Sequence, residues 1–110
     1  MDIEEYQEKA DRTVNGTLSA KENICNLVFG LNGETGEVTE LIKKSLFHGH
    51  KLKMEKLIEE LGDVMWYLTN LASIFEIPMS EILYENIKKL EERYPEGFSE
   101  EKSKNRKEYK

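Results

Sequence analysis

Two long segments of this chain carry apolar residues at helical spacing, and no segment of useful length alternates apolar with polar as a strand does. From 20 to 47 the stripe is Ile24, Leu27, Leu31, Val38, Leu41 and Ile42. From 54 to 75 it is Leu57, Leu61, Val64, Leu68, Leu71 and Phe75. Both sets follow the 3.6-residue period of a helix. Ser19-Ala20-Lys21-Glu22 reads as a capping box that opens the first of them. His48-Gly49-His50-Lys51 is the turn that makes the two antiparallel. A shorter helix is expected over 2–13, with Ile3, Tyr6 and Ala10 on one side and Asn15-Gly16 as its break. Another is expected from Ser80, its N-cap, to Tyr94, with Ile82, Leu83, Ile87 and Leu90 facing inward. The prediction is an all-α, four-helix bundle-type domain over residues 1–98. A charged, flexible tail follows over 99–110, where Tyr109 is the single apolar residue.

At 110 residues the chain is one small domain, of a size that buries only about two-thirds of its unfolded surface. The third helix is apolar nearly all round, since Ile58, Met65 and Trp66 lie off its main stripe. Such a helix needs partners on several sides, and a homodimer or homotetramer is the expected remedy, with Trp66 placed in that interface in preference to stacking on a base. The net charge of −6 argues against a nucleic-acid polymer as partner. Cys25 is the sole cysteine, which excludes an internal disulfide and a thiolate zinc site. Its place in an apolar helical pattern predicts a buried structural thiol. With no signal-peptide pattern and no run able to span a bilayer, the expected location is cytoplasmic.

The chemistry concentrates in two acidic half-motifs, Gly33-Glu34-Thr35-Gly36-Glu37 and Glu60-Leu61-Gly62-Asp63. Each offers two carboxylates three residues apart, on one side of a helix. At about 100° per residue, Glu34 falls within the apolar stripe and Glu37 at its margin, with Glu60 and Asp63 beside the facing stripe. Glu40 and Glu59 point away and read as solvated charge. Two acid pairs closed together at a core margin repel and lose hydration, unless a proton or a hard cation intervenes. Gly30, Gly33 and Gly36 weaken the same helix, which implies that something packs very close to its backbone there or that the helix bends. A phosphate or a facing helix is the expected cause at Gly33 and Gly36.

These half-motifs resemble the Glu-Glu-x-x-Glu … Glu-x-x-Asp signature of the MazG-like, all-α nucleoside triphosphate pyrophosphohydrolases. The likeness continues through Leu41-Ile42-Lys43-Lys44, Val64-Met65-Trp66-Tyr67-Leu68 and Asn86-x-x-Lys89-Leu90-x-x-Arg93-Tyr94-Pro95-x-Gly97-Phe98, and covers roughly Leu31 to Phe98. It departs at Gly33, where the family has an acid. The resemblance implies Mg²⁺-dependent cleavage of a nucleoside triphosphate to a monophosphate and pyrophosphate, with Mn²⁺ as a substitute ion. It implies metal ligands at Glu34, Glu37, Glu60 and Asp63, and phosphate or sugar contacts at Asn86, Lys89 and Arg93. Glu37 is assigned as the carboxylate that activates water.

Three alternatives stand beside that reading at the level of sequence. They are a dUTP- or dCTP-directed enzyme of the same superfamily, a phosphoribosyl-ATP pyrophosphohydrolase, and a helical oligomerisation or nucleotide-sensing module without turnover. His48 and His50, two apart in a turn, read as polar loop residues.

Overall fold

The computed structural model describes residues 1–106 and is helical throughout its ordered elements. In chain order these are α1 (Ile3–Asp11), α2 (Ala20–Phe47), α3 (Met54–Ile74), α4 (Met79–Arg93) and α5 (Glu100–Lys104). The all-α architecture built on two long antiparallel helices is the one the stripes predict. The register shows the antiparallel sense directly. Gly30 of α2 meets Tyr67 of α3, while Glu34 lies nearer Asp63 and Glu60, further back along α3. α1 packs across α3, and α4 packs on α1.

Local chemistry sets the helix ends. The Ser19 hydroxyl accepts from the Glu22 backbone N–H at 3.1 Å, and the Ser19 N–H donates to the Glu22 carboxylate at 2.9 Å. Both halves of the capping box are therefore formed, and they hold the Glu22 carboxyl below its usual range. α2 stops at a reversal through Gly49, whose φ of +71° suits a residue without Cβ. α4 begins one residue before the expected cap. Its N-cap is Pro78, with no side-chain hydrogen bond, and Ser80 lies inside the helix. Ser99 caps the five-residue α5, an element the charged sequence there does not predict. Residues 107–110, with Tyr109, lie outside the described residues.

α3 ends in a Schellman arrangement: the Glu76 N–H donates to the Ser73 carbonyl and the Ile77 N–H to the Ala72 carbonyl, both at 2.9 Å. Glu76 takes the left-handed position, at φ +59°, that glycine usually fills. Gln7 of α1 fastens this turn from outside. Its Nε2 donates to the Ser73 hydroxyl at 3.0 Å and to the Ile77 carbonyl at 2.9 Å, and its Oε1 accepts from the Met79 N–H at 2.7 Å. One side chain thus joins α1, the end of α3 and the start of α4. Gln7→Ala is expected to cost about 1–2 kcal/mol, given the usual net worth of such bonds and the orphaned Met79 N–H. Urea denaturation should show the midpoint falling with its slope unchanged.

Among the described residues, the sealed apolar core is small: Ala10, Leu27, Ala72 and Met79. Much of the remaining apolar surface is open, including Phe29 and Phe47, which are 72% and 77% exposed, and Ile58 and Leu61 on α3. Two expectations are corrected here. Leu83, Ile87 and Leu90 do not face inward within one chain; they are exposed because α4 rests on α1 and leaves that side uncovered. Cys25 is likewise exposed. It lies between half-buried Ile24 and buried Leu27 in sequence, but on a side of α2 that is open to solvent.

Candidate active site

The α2/α3 pairing brings three of the expected acids together. Glu34, Glu60 and Asp63 each offer a carboxylate oxygen within 4.8 Å of the others. Glu34 comes from the middle of α2, and Glu60 and Asp63 from one turn of α3, as the three-residue spacing requires. Glu60 is buried, at 7% exposure, and Glu34 is partly covered. The consequence is electrostatic strain. The Glu34 carboxyl is pushed above its ordinary range, first by loss of solvent, then by the charges of Asp63 and Glu60, a hydrogen bond with Glu60, and the charge of Glu37. Lys56, one turn before Glu60 on α3, relieves part of it: its Nζ lies 3.0 Å from Glu60 Oε1 and 3.8 Å from Glu59. These contacts raise the Lys56 ammonium above its ordinary range.

Glu37 does not join the three. It is exposed and lines a neighbouring groove of about 130 Å³ with Glu40, Leu41, Lys44, Lys56 and Glu60. Its place at the edge of the stripe explains this, since a residue there reaches water as easily as the facing helix. Asn86 and Lys89 line a separate groove with Ile77, Glu81, Ile82 and Glu85. Arg93 is the last residue of α4. Within one chain, then, Asn86 and Lys89 line a different groove from the acids, because α4 packs on α1. His48 and His50 are exposed and belong to no cluster of three metal-ligand side chains among the described residues.

A third wall, from α1, was not legible in the sequence. The Tyr6 hydroxyl is raised above its ordinary pKa by burial and then by the charge of Asp63. Beyond α1, the Thr13 hydroxyl accepts from the Trp66 indole N–H at 2.7 Å and donates to the Ala10 carbonyl at 2.7 Å. Asn70, buried in α3, donates to that same carbonyl at 3.4 Å. Thr13, Glu34, Asp63, Trp66 and Tyr67 line an open pocket of about 380 Å³. Trp66 and Tyr67 meet edge to face, with ring centroids 4.9 Å apart.

Three clustered carboxylates, one of them buried, form an oxygen-only donor set suited to a hard divalent cation. A cation would remove the repulsion that drives Glu34 upward, so the residues fit such an ion. The protein these features define is an all-helical one with a cluster of three carboxylates between antiparallel helices. The match to the family model described as the MazG nucleotide pyrophosphohydrolase domain spans residues 22–98. The chain belongs to that family. It is also 31% identical over 114 positions to the gene 37 protein of Mycobacterium phage L5, an alignment covering 96% of this chain and all of that protein. No solved structure matches it. Among the described residues, no helix is long and apolar enough to cross a membrane.

Proposed function

We propose that this protein is a Mg²⁺-dependent pyrophosphohydrolase of (deoxy)nucleoside triphosphates that serves nucleotide-pool housekeeping in the cytoplasm. The observation that carries the reading is the convergence of Glu34, Glu60 and Asp63 in a chain of the MazG family. These three, with Glu37 one turn along α2, would hold the cation, and Mn²⁺ has the same ligand preferences. A bound divalent cation supplies charge neutralisation on the triphosphate. Glu37, the most exposed and least constrained of the four, accepts a proton from the attacking water. The water oxygen bonds to the α-phosphorus as the bond from that phosphorus to the αβ-bridging oxygen breaks. Pyrophosphate leaves with the electron pair, and the monophosphate remains.

A homodimer or homotetramer is part of this reading. The uncovered apolar residues of α2, α3 and α4, among them Phe29, Ile58 and Ile87, support it, since exposed apolar faces mark association surfaces. Assembly also gives Asn86, Lys89 and Arg93 a route to the phosphates, with Lys as a point charge and Arg as a planar fork.

The test is pyrophosphate release from canonical and damaged triphosphates with and without Mg²⁺, alongside thermal melting. Turnover should require Mg²⁺, and Mg²⁺ alone should raise Tm by relieving the carboxylate repulsion. Pyrophosphate-free products or a melting temperature indifferent to Mg²⁺ would refute the reading.

A further inference from the structure

The pocket beside the acids changes character along one turn of α3. Asp63 is its polar end, and Trp66 and Tyr67, three and four residues on, are its aromatic end. That places the rings about one helical pitch, roughly 5 Å, along the axis from the acid cluster. The volume of about 380 Å³ lies within the range of small-ligand sites. The aromatic end is held firmly. The Tyr67 ring lies directly on the α2 backbone at Gly30, and its contact with Trp66 braces the indole from one side. The indole N–H is already committed to Thr13, whose hydroxyl is in turn committed to the Ala10 carbonyl. Trp66 therefore has no hydrogen bond left with which to read a base edge. What it offers a ligand is π surface, which every base can use.

We propose that this pocket seats the nucleobase of the triphosphate against Trp66, by stacking and with little choice among bases. The inference rests on the pyrophosphohydrolase reading for the position of the phosphates. It makes Trp66 a specificity-determining residue for nucleotides over bare polyphosphate, with Tyr67 and Thr13 as positioning residues.

Trp66 is the only tryptophan, so emission excited beyond the tyrosine absorption band reports on this pocket. The full chain with Mg²⁺ is titrated with αβ-methylene analogues of ATP and dCTP, which cannot be cleaved at that bridge, and with inorganic tripolyphosphate. Both analogues should quench the emission saturably, with Kd values within about fivefold of each other, as stacking tolerates any base. Tripolyphosphate should bind about tenfold more weakly and leave the emission unmoved. By calorimetry, Trp66→Ala should weaken analogue binding about tenfold, and Trp66→Phe, which keeps a ring face, should restore it to within about threefold of wild type. Should the alanine variant fail to fold, the wild-type titration and Trp66→Phe decide alone. Analogue bound by calorimetry with emission unchanged overturns the inference, as does a preference between the two bases beyond about a hundredfold, since that demands hydrogen-bond readout. If neither analogue nor tripolyphosphate binds, the pyrophosphohydrolase reading falls with it.

Discussion

Asp63→Asn is expected to lower pyrophosphate release at least about a hundredfold while leaving the apo protein as stable as wild type or more so. The first half follows from the proposed role of Asp63 as a direct carboxylate ligand, since even groups that merely support metal ligands are worth about 10–100-fold. The second half follows from the charges around it. Asp63 raises the Glu34 carboxyl, and the one cation it favours, Lys56, is held at ion-pair distance by Glu60 and Glu59 and not by Asp63. Replacing it by a neutral isostere removes repulsion and leaves the shape. The paired readout is Tm with and without Mg²⁺. Wild type should gain stability on adding the ion, and the variant should start at least as high and gain little. Loss of activity together with a lower apo Tm would mean that Asp63 supports the fold instead of a cation. Glu60→Gln is a poorer probe of the same point, because it also strips Lys56 of a partner 3.0 Å away.

How much of this was legible in the sequence depends on the range of the interaction. The ends of α2 lie where Ser19 and Gly49 put them, because caps and left-handed reversals are decided within a few residues. The grouping of Glu34 with Glu60 and Asp63 was also accessible, since a wheel argument on two antiparallel helices fixes which turns face each other. What α1 contributes was not. Thr13 meets Trp66 across 53 positions and Gln7 meets Ser73 across 66, and no periodicity in either segment encodes such a crossing. α4 failed for a related reason. Its stripe records that Leu83, Ile87 and Leu90 suit an apolar contact, but a stripe does not say whether its own chain supplies the partner. Cys25 shows the same limit on α2, where an apolar neighbourhood in sequence is a solvent-facing side of the helix. Of the three glycines, Gly30 is the one a facing helix approaches, while a Cβ at Gly33 or Gly36 meets nothing within 4 Å in this chain, so no facing helix of the same chain explains those two.

That difference predicts opposite signs for one substitution at three positions of one helix. Gly33→Ala and Gly36→Ala should each stabilise the apo protein by about 0.5–1 kcal/mol, because alanine loses less backbone entropy in a helix and has open space here. Gly30→Ala gains the same propensity but drives its methyl into the Tyr67 ring. An aromatic ring cannot yield by a small torsion as a lysine tip can, and this one is braced by Trp66, itself tied to Thr13. Overpacking of that severity costs about 3 kcal/mol, which exceeds the propensity gain and leaves a net loss of about 2 kcal/mol. Denaturant midpoints of the three variants check the order, which should be Gly30→Ala below wild type and the other two above it. The double variant Gly30→Ala/Tyr67→Leu, which removes the ring, should recover stability relative to the sum of its parts. If Gly30→Ala proves as stabilising as its neighbours, the Tyr67 ring does not lie on α2 and the aromatic wall of the pocket is placed wrongly. If it destabilises as expected, its triphosphate KM should rise as well, since the shift it forces is in that wall.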